Sequence, residues 1–161
     1  MTPPAAHPRF TEALRALGLD GLATRSFPEA TRTAAEAAAA IGCELSQICK
    51  SLIFAADGTP VLVLMDGASR VDVERVRAEL GAGKVTRAAA DVVRETTGYA
   101  IGGVPPFGHR TRTRVLADRS LLAHDVVWAA AGNPHVVFPM APHDLVEHAD
   151  ATLVDVRERT A

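Results

Sequence analysis

The chain has 161 residues, of which 48% are hydrophobic, 22% charged and only 4% aromatic. That length suits one domain with a substantial core, and the composition excludes a disordered or collagen-like polypeptide. A formal net charge of −2 excludes a protein that coats duplex nucleic acid through a broadly basic surface.

The charge is unevenly distributed. Residues 70–119 carry ten Lys/Arg against six Asp/Glu, residues 120–161 carry two against six, and residues 1–69 carry five against seven. A local nucleic-acid footprint in the basic middle and a plain solvated surface both fit that division. The longest apolar runs, such as residues 126–131, fall far short of a membrane span, and the N-terminus lacks the basic start and apolar core of a secretory signal. The cytoplasm is therefore the expected location. Cys43 and Cys49 form neither a close-spaced metal pair nor a disulfide framework, so both are read as reduced thiols.

Taken in order, residues 1–8 hold three prolines and read as a short flexible leader to a single domain covering residues 1–161. Residues 9–17 place Phe10, Leu14 and Leu17 on one helical face, and Gly18 ends that helix. Residues 24–28 read as an extended linker or edge strand, with Phe27 kept out of the α region by Pro28 and open to a core or a pocket role. Thr33 and Glu36 have capping-box spacing and open an alanine-rich helix that runs to Ile41 and stops at Gly42.

A helical turn over residues 44–49 leads into a strand over residues 51–56. Asp57-Gly58 turns the chain, and a returning strand over residues 60–65 completes an antiparallel hairpin. Lys50 thus stands at a strand entrance, where it is either a solvated end residue or a cation placed to neutralise a phosphate or an oxyanion. Helices over residues 72–80 and 88–96, separated by a short strand at residues 84–86, deliver the chain to Gly98.

The run Gly98-Tyr99-Ala100-Ile101-Gly102-Gly103-Val104-Pro105-Pro106-Phe107-Gly108-His109 is dense in residues that either free or fix the backbone. It reads as a shaped loop, equally compatible with a structural turn and with a site. Residues 110–117 then read as a strand whose period of two would align Arg110, Arg112 and Arg114 as a positive stripe near that loop. A short turn at residues 118–122, strands at 126–131 and 135–139 joined by Gly132-Asn133-Pro134, a helix at 142–148 and a strand at 151–156 complete the chain. Short strands with interspersed helices point to an α+β fold, with a mixed, strongly curved sheet or barrel surrounded by helices.

Familiar machinery is missing from the sequence. The glycine loop has no Gly-Lys-Ser/Thr ending and supplies no dinucleotide fingerprint. No Gly-x-Ser-x-Gly elbow, His-Glu-x-x-His helix or tight Cys/His cluster occurs, so neither a serine hydrolase nor a metal site is indicated, and no cofactor is implied. Cys49 beside Lys50 is read as a small buried hydrophobe rather than a nucleophile, because neighbouring strand residues point in opposite directions. His109 titrates near neutrality when unperturbed, and is read as peripheral or phosphate-facing.

Two separated segments carry a resemblance. Glu36-Ala37-Ala38 followed by Gln47-Ile48-Cys49-Lys50-Ser51-Leu52-Ile53-Phe54, together with the run from Gly98 to Gly108, resembles the YbaK/EbsC family of aminoacyl-tRNA deacylases and prolyl-tRNA-synthetase-associated editing domains. Arg70-Val71-Asp72, Ala131-Gly132 and Asp144-Leu145 add to the likeness, which covers residues 25–156. The resemblance implies hydrolysis of the ester on a mischarged tRNA, Cys-tRNA(Pro) or another small amino acid on tRNA(Pro), without a side-chain nucleophile.

On the same ground, Lys50, Gly102 and Gly103 are the expected catalytic residues. Lys50 would polarise the substrate end, and the glycines would offer backbone groups. Phe27, Met65, Pro106, Phe107, Gly108 and Gly132 are the expected substrate-binding residues, and Arg110, Arg112 and Arg114 the expected RNA contacts. Pro105 stands where relatives often carry a small polar residue, and so removes a backbone donor. The expected partner is the acceptor end of a mischarged tRNA. Prolyl-tRNA synthetase stays open as a second partner, and the assembly stays open between monomer and homodimer. A noncatalytic tRNA- or synthetase-binding module with the same fold is the rival reading, and a small-metabolite binder a third.

Overall fold

The computed structural model describes residues 4–159. Among the described residues five α-helices, α1 (Pro8–Ala16), α2 (Ala34–Ile41), α3 (Val73–Leu80), α4 (Ala90–Thr97) and α5 (Pro142–His148), and two short 3-10 turns accompany eight strands. The strands are β1 (Arg25–Ser26), β2 (Cys49–Ala56), β3 (Thr59–Asp66), β4 (Val85–Arg87), β5 (Arg114–Asp118), β6 (Val127–Ala130), β7 (Val136–Met140) and β8 (Thr152–Val154). They form an antiparallel three-stranded sheet in the order β1-β7-β6 and a mixed five-stranded sheet in the order β4-β2-β3-β5-β8. Among the described residues no helix is long and apolar enough to cross a membrane.

The hairpin β2–β3 anchors the larger sheet. Asp57 and Gly58 both take positive φ, 49° and 83°, and Ala56 pairs with Thr59, so the loop is two residues long despite Pro60. From there the strands stay in register through to Cys49 opposite Asp66. Period-two alternation sorts their side chains. Cys49, Ile53, Leu62, Leu64, Val115 and Ala117 enter the main core with Phe10, Tyr99, Phe107 and Phe138. Phe54, Val61, Val63, Met65 and Leu116 enter a second core with Val76 of α3.

The α+β class and the mixed sheet hold, but the expected barrel or strong curvature does not. Closure requires pairing that continues around the whole sheet. Here β4 and β8 engage only three residues each and end the larger sheet. Among the described residues, the isolated bridge between Ile48 and Trp128 is the pairing that links the two sheets.

The strand expected over residues 110–117 also begins late, at Arg114. The amides of Arg110 and Thr111 instead donate to the carbonyls of Thr97 and Thr96, at 2.8 and 2.9 Å. Those carbonyls lie at the C-terminal end of α4, where the helix offers them no partner. Arg110 and Thr111 therefore cap α4, and of the three arginines only Arg114 lies in β5.

Of the leader, residues 1–3 lie outside the described residues. Pro4 and Ala5 accept hydrogen bonds from Ser26 Oγ and Asn133 Nδ2, and the His7 amide donates to Ala131 O at 3.0 Å.

Candidate functional site

A cavity of about 260 Å³ opens where β2 and β6 separate beyond the Ile48–Trp128 bridge. One wall is residues 48–53. Opposite stand Trp128, Ala129 and Ala130, with Ala34 and Ala37 of α2, Ile101, Gly102 and Val104 of the glycine loop, and Val93 of α4 closing the remainder. Alanines along α2 let the helix lie close without filling the space, and its Thr33–Glu36 capping box fixes where it starts. Lys50 and Gly102, far apart in sequence, thus line one cavity.

Lys50 is half-buried, and its ammonium donates to the Ser69 carbonyl at 2.5 Å. Burial pulls its pKa below the ordinary lysine value, an effect opposed by the nearby carboxylate of Asp66 and reinforced by Arg87 and Arg70. Asp66 is itself held by Ser120 Oγ at 2.6 Å and by the Ala68 amide at 2.9 Å. On the neighbouring position Ser51 Oγ is buried without a hydrogen-bond partner among the described residues. A buried hydroxyl left unpaired costs free energy, so this cavity wall offers an unused polar group.

The glycine loop is rigidly held. Tyr99 donates its hydroxyl to Gly108 O at 2.7 Å, and Thr97 Oγ1 accepts from the Tyr99 amide. The His109 ring donates Nε2–H to Pro105 O at 2.6 Å, since a carbonyl can only accept, and burial lowers the histidine pKa. Gly102 takes φ +94°, where a side chain would be strained. At Gly103 a Cβ would come within 2.7 Å of Asn133 Cα, so this glycine lets the loop pack directly on the β6–β7 turn. The Gly103 amide donates to Ala100 O at 3.0 Å, so that amide is engaged within the loop. Among the described residues the Gly102 amide makes no such backbone bond.

Other expected site residues lie elsewhere. Met65 is fully buried in the second core, on the far side of the larger sheet. Phe107 packs on Phe10 and Phe138 in the main core, with ring centroids 5.4 and 5.9 Å away. Phe27 lies beneath the Arg25 guanidinium, and its amide donates to His135 O. Pro106, Gly108 and Gly132 are support for the loop: Pro106 is buried, Gly108 abuts Ala13 and Tyr99, and Gly132 abuts His7 and Tyr99. None of these six lines the cavity. Arg110, Arg112 and Arg114 are exposed outside it, and Arg112 pairs with Asp150 at 2.7 Å.

Cys49 is buried in the cavity wall, and burial pushes its thiol up to about 12, the opposite of what a nucleophilic thiolate needs. No group of three or more His, Cys, Asp or Glu residues able to hold a metal occurs among the described residues. Sequence reasoning missed Ser51, Ala37, Val93 and Trp128 as cavity walls, and Arg87 beside them. The Ala-rich helix and the run after Lys50 carried that signal for the first two. Arg87, on a three-residue exposed strand, carried none.

Residues 28–148 match the aminoacyl-tRNA editing domain family. The chain is 34% identical over 122 residues to the uncharacterized protein YwhH of Bacillus subtilis (strain 168), covering 75% of this chain and 77% of that one. It is 30% identical over 151 residues to the proline--tRNA ligase of Streptococcus sanguinis (strain SK36), covering 92% of this chain but only 24% of the ligase. Among solved structures, a candidate trans-editing enzyme for prolyl tRNA synthetase superposes with a TM-score of 0.89 at 38% identity, over 96% of this chain and all of that one. The hypothetical protein APE2540 superposes with a TM-score of 0.85 at 33% identity, over 93% and 99%.

Proposed function

The chain belongs to the aminoacyl-tRNA editing domain family, and we propose that it acts in trans on tRNA(Pro), hydrolysing the ester of a small wrong amino acid such as cysteine or alanine. The observation that supports this most is the meeting of Lys50 and Gly102 at one cavity. The prolyl-tRNA connection rests on the relatives named above.

The chemistry asks little of side chains. Water adds through its oxygen to the ester carbonyl carbon, the bond to the ribose oxygen then breaks, and the departing oxygen takes up a proton. Lys50 and Gly102 both line the cavity, and a lysine ammonium and a backbone amide are a cation and a donor suited to the negative charge that develops on the carbonyl oxygen. Ser69 holds the ammonium in place, so little reorganisation accompanies the reaction. A ribose hydroxyl beside the ester serves as proton carrier, or a substrate thiol attacks in place of water when the amino acid is cysteine. The apolar walls from Ala37, Ile48, Val93, Val104 and Ala129 suit a small side chain.

The test is amino-acid release from Cys-, Ala- and Pro-tRNA(Pro) by the purified chain. Release from the first or second, with the cognate prolyl ester spared, is the expected result. Binding of all three with release from none would favour the noncatalytic module.

A further inference from the structure

A second, more open hollow of about 610 Å³ lies on the other side of the Lys50 strand, lined by Lys50, Leu52, Phe54, Arg70, Arg87 and Glu158 among others. It shares Lys50, Leu52 and Arg87 with the first cavity, so the two adjoin at that strand. We propose that this hollow binds the phosphodiester backbone of the single-stranded RNA end whose terminal ester occupies the cavity, with Arg70 and Arg87 as the phosphate-contacting residues. The proposal deepens the editing reading and rests on it.

Charge and geometry carry the assignment. Three cations face one carboxylate across the hollow. Among the described residues, none of the three makes an ion pair with a carboxylate, a state they share with Arg9, Arg32 and Arg94, so it is their gathering at one hollow that sets them apart. Like charges that outnumber the carboxylates beside them repel one another, and a bound anion relieves that repulsion. Arg70 and Arg87 are close enough to lower the Lys50 pKa, after the larger effect of burial.

Arg87 lies over the Phe54 ring with its guanidinium carbon 5.7 Å from the centroid, which holds the planar fork in a defined orientation. A guanidinium so held matches two phosphate oxygens at once, where an ammonium would offer only a point charge. Leu52, Val71 and Val85 in the hollow's lining give ribose an apolar surface, and the residues shared with the cavity set the two side by side, within reach of one strand that makes phosphate contacts and carries the reacting ester. Arg110, Arg112 and Arg114 line neither hollow.

The test uses the full chain, a fluorescent single-stranded RNA ending in CCA without an amino acid, and anisotropy over a range of salt. Arg70→Gln and Arg87→Gln, both at exposed positions, are each expected to weaken RNA binding about fivefold and to flatten the salt slope by about 0.7. Arg15→Gln, which removes an equal charge from α1, calibrates the effect of charge alone. For Arg70→Gln, kcat/KM on mischarged tRNA relative to the 3′-aminoacyl adenosine, which lacks the phosphodiesters, should fall about fivefold, through KM rather than kcat. Unchanged RNA affinity and salt slope, or an equal loss on both substrates, would overturn the proposal. If the unaltered chain released no amino acid from any ester, the editing reading would fail, while anisotropy would still decide the phosphate site.

Discussion

Lys50 donates to the carbonyl oxygen of Ser69 at 2.5 Å, and this bond holds an ammonium in the wall between two hollows. Holding it there has a stability cost, because burial disfavours the charged form. The folded pKa lies below the ordinary 10.5, so in the interval between the two values the unfolded chain binds more protons. Stability is therefore penalised at neutral pH and recovers as pH rises through that interval. Lys50→Met should melt at a higher temperature than the unaltered chain near neutrality, and the difference should narrow as pH climbs towards about 10. Parallel melting curves across that range would contradict the assigned cause.

His109 gives the mirror experiment on the acid side. Its pKa is lowered by burial, partly offset by the bond to Pro105 O, so the unfolded chain binds more protons between the folded value and the usual 6.5. Stability falls as pH drops through that interval. The melting temperature of His109→Gln should depend less on pH between about 7.5 and 5 than that of the unaltered chain. Identical slopes would remove His109 from the account.

Gly103 and Gly21 make a matched pair. A Cβ at Gly103 meets the Asn133 backbone at 2.7 to 3.1 Å, whereas at Gly21 nothing lies within 4 Å. Gly103→Ala should lose roughly 1–3 kcal/mol of stability, and deacylation with it as the loop shifts. Gly21→Ala should be neutral or slightly stabilising, since it only restricts the unfolded chain. Chemical denaturation of both variants measures this, and wild-type stability in Gly103→Ala would contradict the packing described.

Phe107 is a core residue between Phe10 and Phe138. Phe107→Ala should cost about 3–5 kcal/mol. Its milder relative Phe107→Leu should lower the melting temperature without altering which misacylated tRNA is preferred. A changed preference would restore Phe107 as a pocket wall.

Much of this was legible in the sequence because local chemistry set it. The Thr33–Glu36 box, the Asp57-Gly58 turn, α5 and the hairpin all follow from short-range patterns, and all occur. The meeting of Lys50 with the glycine loop came through family resemblance. What failed depended on long-range competition. Alternating arginines and threonines at residues 110–114 favour a strand, yet unpaired carbonyls at the end of α4 captured two of those amides. Met65 looked available for a pocket because alternation tells which residues share a face, but not which face meets the cavity. Nothing local announced Arg87, whose place beside both hollows comes from the strand it pairs with.

The most direct test compares the unaltered chain with Lys50→Ala on misacylated tRNA(Pro), following amino-acid release with circular dichroism as a check on folding. Rapid release by the unaltered chain and a loss of at least about tenfold in a folded Lys50→Ala variant is the predicted result. Equal release by both proteins would contradict the role given to Lys50.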